Sequence, residues 1–419
     1  MCTARSSMSV KLRRAGWTVL AVLLISAMMS AAAGVSLADA SRNTGVTSYR
    51  LEIPGSTIQT AAFSPDGRFL AAGHIKFKHD EHQYEFATGI AIWDLASRKW
   101  VADKIVDSAT LRYGSPRHRT IEPEFLNYTS DGKRLVVFQG GVIRILDAAS
   151  LAEESHIDLD LPLYAEGNEQ ATLWDVKVPP GDSKLAVLVG GFPSHNSGLL
   201  RVYDIFTKRV TFEWKIEAYL NGASMSFSSD GSKISVVVPE RIMHRRGEGH
   251  PDVSLLDLKL ASLKLWLDTG PDTALSAVFV DNNQLVTAHM WNERHMKRGS
   301  LKFWDVNTGK MTREISDAPS GIHRQVDISR DGRILFGYIG QQENAYHSMK
   351  TVDQRFRLWE LPSGNVIVDS ADIVPIAKLT LPQFRLSPDG KTAVALWPTS
   401  LVQPEVFEIV PPGGACPYQ

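Results

Sequence analysis

FSPDGRFL (63–70) couples a tight reversal to the start of an apolar strand, and LSPDGKTA (386–393) repeats the arrangement near the other end of the chain. Between them stand TSDGKRLVVF (129–138), SSDGSKISVVV (228–238) and SRDGRILFGYI (329–339). VPPGDSKLAVLV (178–189) and FVDNNQLVTA (279–288) are weaker copies, which brings the count to seven. Asp and Gly supply the backbone conformations that a reversal demands, and the residues that follow read as a buried strand.

A second element keeps the same count. It reads IAIWDL (90–95), VIRILD (142–147), LRVYDI (200–205), VSLLDL (253–258), LKFWDV (301–306), FRLWEL (356–361) and EVFEIV (405–410). Successive acidic positions lie 53, 57, 53, 48, 55 and 48 residues apart. Units of this length, each able to hold four short strands, predict an all-β chain: a seven-bladed β-propeller of four-stranded antiparallel blades. A ring has to close, or its end sheets present unpaired edges. The seventh unit runs out of chain after EVFEIV, and TSYRLEIP (47–54) alternates well enough to complete it. The expected closure therefore joins the N-terminal strand to the last blade. The propeller is expected over residues 41–412, with a C-terminal tail over 413–419.

These residues resemble the WD-repeat family and the wider set of bacterial exported propellers, over essentially the whole chain after its first forty residues. Trp93-Asp94 and Trp304-Asp305 match the signature dipeptide, with Trp359-Glu360, Tyr203-Asp204 and Phe407-Glu408 as looser versions. The family's Gly-His dipeptide is missing between units, and the units are longer than is usual there. The large side chain of each third strand is expected to pack inside its sheet.

The first forty residues read differently. Arg5, Lys11, Arg13 and Arg14 precede the apolar run WTVLAVLLISAMM (17–29), and small residues follow up to Ala38-Asp39-Ala40. This is the pattern of a cleavable secretory signal over 1–40, cut after Ala40 or, alternatively, after Ala33. The run is shorter than the roughly 20 residues needed to cross a bilayer, so no membrane span is expected after cleavage. The expected location is the periplasm or the exterior. Cys2 would leave with the signal, Cys416 would be the sole thiol, and no internal disulfide could form. The whole chain has a formal net charge of −1. Removing four basic residues and Asp39 makes it slightly more acidic, which speaks against a nucleic-acid partner.

Loop lengths are uneven. Turns between first and second strands, and between third and fourth, are terse. The links between second and third strands are long: HIKFKHDEHQYEFATG (74–89), GFPSHNSG (191–198), PERIMHRRGEGHPD (239–252), HMWNERHMKRG (289–299) and YIGQQENAYHSMKTVDQ (338–354). In an antiparallel blade these share one face with the links between blades, including DSATLRYGSPRHRTIEPE (107–124). Of twelve histidines, nine fall in the long links: His74, His79, His82, His195, His244, His250, His289, His295 and His347. The candidate binding residues on this face are His79, His82, Tyr84, Arg112, Arg117, Arg245, Arg246, Trp291, Arg294, His295, Tyr346 and His347. Arg, His and aromatic groups on a rigid scaffold suit a protein or another envelope component, and a small anionic ligand is the other option. Polar loops with no ligand at all would read the same way.

No catalytic motif is apparent. G-x-S-x-G, C-x-x-C-H, P-loop and dinucleotide fingerprints are missing, and HDEH (79–82) lacks the spacing of a zinc-protease helix. No cofactor or metal is expected, and the chain is expected to be a monomer. The leading expectation is a non-catalytic interaction or ligand-binding scaffold. The alternative is a propeller enzyme, a lactonase-like hydrolase or a quinoprotein-like oxidoreductase, with its site at the mouth of the central channel.

Overall fold

Each Asp-Gly reversal is held by the same few atoms. In the first, the Ser64 hydroxyl donates to Asp66 Oδ1 (2.5 Å) and accepts the Phe69 N–H (2.8 Å). Asp66 Oδ1 also takes the Arg68 N–H at 3.0 Å, while Gly67 adopts φ 72°. Thr129–Gly132, Ser228–Gly231, Ser329–Gly332 and Ser387–Gly390 repeat the pattern, each with its glycine at positive φ. Donors crowded onto the carboxylate favour its charged form. Hydrogen bonds from Ser64 and Arg68 hold Asp66 below the usual carboxylate range. Burial works to raise Asp230, but bonds from Ser232 and Ser228 outweigh it and bring the group to about 2.

The computed structural model describes residues 46–79, 83–112, 123–159, 171–179, 181, 183–191, 197–217, 220, 222–239, 252–270, 272–293, 296–317, 322–345, 348–369, 383–397 and 403–409. They form seven four-stranded antiparallel sheets. The first strands are Ser56–Phe63, Pro123–Tyr128, Thr172–Lys177, Ser224–Phe227, Thr273–Phe279, Ile322–Ile328 and Gln383–Leu386, for blades one to seven. In blades one to six the second, third and fourth strands follow in order. In blade seven the fourth strand is Val46–Arg50, paired antiparallel with Glu405–Ile409. The ring closes as the repeat count requires. Among the described residues no helix is long and apolar enough to cross a membrane.

The core is not one cluster but seven, one at each junction between neighbouring blades. Side chains alternate across a strand, so each strand serves two junctions. In blade one, Leu70 and Ala72 pack toward blade seven, whereas Ala71 packs toward blade two. Both faces are covered, which is why RLVVF and KLAVLV are apolar at nearly every position. The large third-strand residues Trp93, Leu146, Tyr203, Leu256, Trp304, Trp359 and Phe407 are all buried, each toward the preceding blade.

First strands have one unpaired edge, turned toward the axis, and their spare N–H groups need acceptors. Side chains of the preceding blade provide several. Asp175 accepts Met225 N–H (2.8 Å), Ser276 accepts Val326 N–H (3.2 Å) and Asp327 accepts Leu386 N–H (3.0 Å). Gln325 bonds both Phe384 N–H (3.0 Å) and Phe384 C=O (2.6 Å). The register shifts at Leu173/Asp175, Ala274/Ser276 and His323/Gln325 place three of these side chains where they reach across.

One expectation needs correction. The links over 74–89, 289–299 and 338–354 are not loops but strands. The second and third strands run Phe69–His79 and Gln83–Asp94 in blade one, Gln284–Glu293 and Met296–Asp305 in blade five, and Ile334–Ala345 and Ser348–Glu360 in blade six. The fourth strand of blade one follows to Arg112. These stretches carry polar residues at many positions, unlike the strands inside the ring. Polarity there therefore gave a loop reading to segments whose backbone groups are in fact paired.

Candidate interaction face

Among the described residues three blades send strands past the body of the ring on the side of the second-to-third connections, two-stranded in blades five and six and three-stranded in blade one. In the other blades the second and third strands are five to seven residues long, against ten to thirteen here. Register is unbroken along the hairpins of blades one and five and shifts once in blade six, at Gly340/Gln341, and in each the same two strands continue into the blade. His79 pairs with Tyr84, and Gln83 pairs with Arg112, so three candidate residues meet at the end of a three-stranded ribbon in blade one. Trp291 pairs with Arg298 across the hairpin of blade five. His82, Arg117, Arg245, Arg246, Arg294, His295, Tyr346 and His347 lie outside the described residues.

Two histidines counted with this face belong to the interior instead. His74 has no accessible surface, and its Nε2 lies 2.9 Å from Asp103 Oδ1, on the fourth strand of the same blade. It reaches there across Gly89, where a Cβ would stand 2.4 Å from His74 Nε2. Only glycine leaves that passage open. Lys76 bonds the other Asp103 oxygen at 3.1 Å. Burial depresses the His74 pKa more than Asp103 lifts it, so the ring is neutral and donates from Nε2. Burial works to raise Asp103, but His74 and Lys76 outweigh it and keep the carboxylate charged. The pair looks like a base with its orienting acid, but a ring with no accessible surface touches no substrate. It braces the sheet.

His289 is equally buried, in blade five. Its Nε2 lies 2.5 Å from Thr287 Oγ1, which in turn accepts the Trp304 Nε1–H at 2.7 Å. This network gives the indole of the Trp-Asp dipeptide its polar partner inside the sheet. Sequence position alone suggested a loop for both histidines. The signal that could have placed them inside was the apolar alternation continuing through AAGHI and VTAHM.

The acidic member of each dipeptide has a local task as well. Asp94, Asp204 and Asp305 accept N–H groups two or three residues further on, which tightens the turn to the fourth strand. Among the described residues no group of three or more His, Cys, Asp or Glu is placed to hold a metal ion. HDEH (79–82) lies largely outside them.

No family model matches the chain, and no curated protein matches it. Solved structures do. A chain of the hydrazine synthase of Kuenenia stuttgartiensis superposes with a TM-score of 0.53 at 14% identity, covering 86% of this chain and 98% of that one. A chain of the mitotic checkpoint complex superposes with a TM-score of 0.56 at 14% identity, covering 90% of this chain and 96% of that one. The likeness is one of fold. At this identity it carries no activity across.

Proposed function

We propose that the chain is an exported, WD-repeat-like propeller that acts as a non-catalytic scaffold, binding a protein or another envelope component through the face that bears the projecting hairpins. One observation carries this reading: strands of ten to thirteen residues leave the ring on a single face in blades one, five and six. Ring closure does not need them, because blades two, three and four close with strands of five to seven. Ribbons longer than ring closure requires are more readily explained by contact with another molecule. Arg, His and aromatic residues concentrated along them and their neighbours are the groups that anchor protein interfaces. Export rests on the leader-like pattern of residues 1–40.

The test replaces Arg245, Arg246, Trp291 and Arg294 together with Ala, and uses the tagged protein as bait in envelope extract. A second bait carries Glu at Lys259 and Lys310, in the turns of the opposite face. Partners lost by the first variant and retained by the second are the expected result. Identical partners on both baits, with far-UV circular dichroism unchanged, would remove the assignment of this face.

A further inference from the structure

On the opposite face four inter-blade joints share one arrangement. Where the third-to-fourth turn of one blade meets the preceding blade, a basic side chain commonly bridges the two. Lys104 donates to Leu151 C=O at 3.0 Å between blades one and two. Lys264 donates to Asn307 Oδ1 at 3.0 Å between blades four and five. Arg313 donates to Pro362 C=O and, at 2.8 Å, to Ser363 C=O between blades five and six. Between blades seven and one, Arg98 binds Glu408 at 2.9 Å and lies over the Tyr49 ring, 4.4 Å from its centroid.

Between blades two and three the joint is built otherwise. A cavity of about 190 Å³ opens there, with Val136, Ile145 and Ile205 as its apolar lining and Phe206 at its side. Phe206 is 64% exposed, an unusual position for a phenylalanine. Two cations share the lining, Arg134 and Lys208. Arg134 uses Nε to bind Glu154 Oε2 at 2.6 Å, which leaves the ends of its guanidinium with no hydrogen bond among the described residues. The Lys208 ammonium has no hydrogen bond or ion pair among them either. Its backbone is left-handed, with φ 61°. Glu154 is the one carboxylate in the lining, and Asp131 and Asp147 act on Arg134 from outside it, so Lys208 is the cation with no partner of its own among the described residues.

We propose that this cavity binds a small amphiphilic monocarboxylate, its apolar body on the aliphatic lining and Phe206, its carboxylate between Lys208 and Arg134. The volume is below that of pockets that enclose drug-sized molecules, which limits the ligand to about the size of a benzoate or a six-carbon acid. A neutral molecule of the same shape would leave the Lys208 ammonium and the free ends of the Arg134 guanidinium without an acceptor, so charge should discriminate.

The test is calorimetric titration of the full-length chain with benzoate, hexanoate and, as the neutral counterpart, benzamide. Saturable binding of either acid in the millimolar range is expected, with benzamide at least tenfold weaker. Lys208→Gln, at an exposed position, should weaken the acids at least fivefold and leave benzamide unchanged. Phe206→Ser should weaken benzoate more than it weakens acetate. Thermal unfolding of each variant, without ligand, establishes that it is folded. Equal affinity for benzoate and benzamide, or acid binding that Lys208→Gln does not alter, overturns the proposal. So does failure of both acids to bind at millimolar concentrations. Since the cavity and the hairpins occupy opposite faces, either result leaves the scaffold reading to its own experiment.

Discussion

At the scale of the residue, the tightest constraints sit where a turn or a buried polar group leaves one acceptable solution. Six third-to-fourth turns place the residue four positions after the acidic one at positive φ. It is glycine at Gly309 and Gly364, but Arg98, Leu151, Lys208 and Ala261 elsewhere. A Cβ in that conformation costs about 1–2 kcal/mol, partly offset by the entropy that glycine loses on folding. Ala261→Gly should therefore stabilise the chain by roughly 0.5–1 kcal/mol, read as a higher urea midpoint at constant slope, and Gly309→Ala should do the reverse. His74 makes a second prediction. Burial holds its folded pKa below the ordinary imidazole value of 6.5, so the unfolded chain takes up this proton first as pH falls. The contribution is present above 6.5 and is lost as pH descends toward the folded value. Urea unfolding between about pH 7.5 and about 5.5 should show stability falling more steeply in the parent than in His74→Gln. Parallel curves would mean that the buried ring does not resist protonation.

At the scale of the element, the strand Val46–Arg50 matters more than its five residues suggest. It covers the edge of Glu405–Ile409, where Ser48 donates to Glu405 at 2.6 Å and Thr47 to Glu408 at 3.2 Å. Tyr49, pushed up to about 12 chiefly by burial, lies beneath Arg98 of blade one. The strand thus ties the last blade to the first. A chain beginning at Leu51 should lose more than about 3 kcal/mol of stability and self-associate through the uncovered edge. Chemical denaturation and light scattering measure the two effects separately. An unchanged midpoint with monomeric scattering would show that closure does not depend on this pairing. The hairpins are the opposite case: legible as unusual segments, misread as loops, because polarity outside the ring carries no information about backbone pairing.

At the scale of the whole molecule, stability belongs to junctions and not to blades. Every cluster of the core draws side chains from two neighbouring sheets, so a blade alone would expose both faces. Residues 172–267, which make blades three and four, should fail to fold in isolation. The intact chain should unfold in one transition, with tryptophan fluorescence and circular dichroism coincident; separated transitions would mean that part of the ring stands independently. Blade number was readable from residues 63–70 and their six copies together with the seven third-strand segments, and closure from the last of these, EVFEIV, and the alternating TSYRLEIP (47–54), because a propeller repeats one local pattern and the period counts the repeats. The burial of Trp93 and Trp304 was readable too, since a large apolar group in a strand with two covered faces has nowhere else to go. What only the tertiary structure decided is which distant side chains meet: that His74 finds Asp103 across a glycine within blade one, that Gln325 of blade six serves Phe384 of blade seven, and that the joint between blades two and three holds a cavity. Such contacts join residues from about thirty to sixty positions apart, and no local pattern encodes which side chain the ring will bring to meet another.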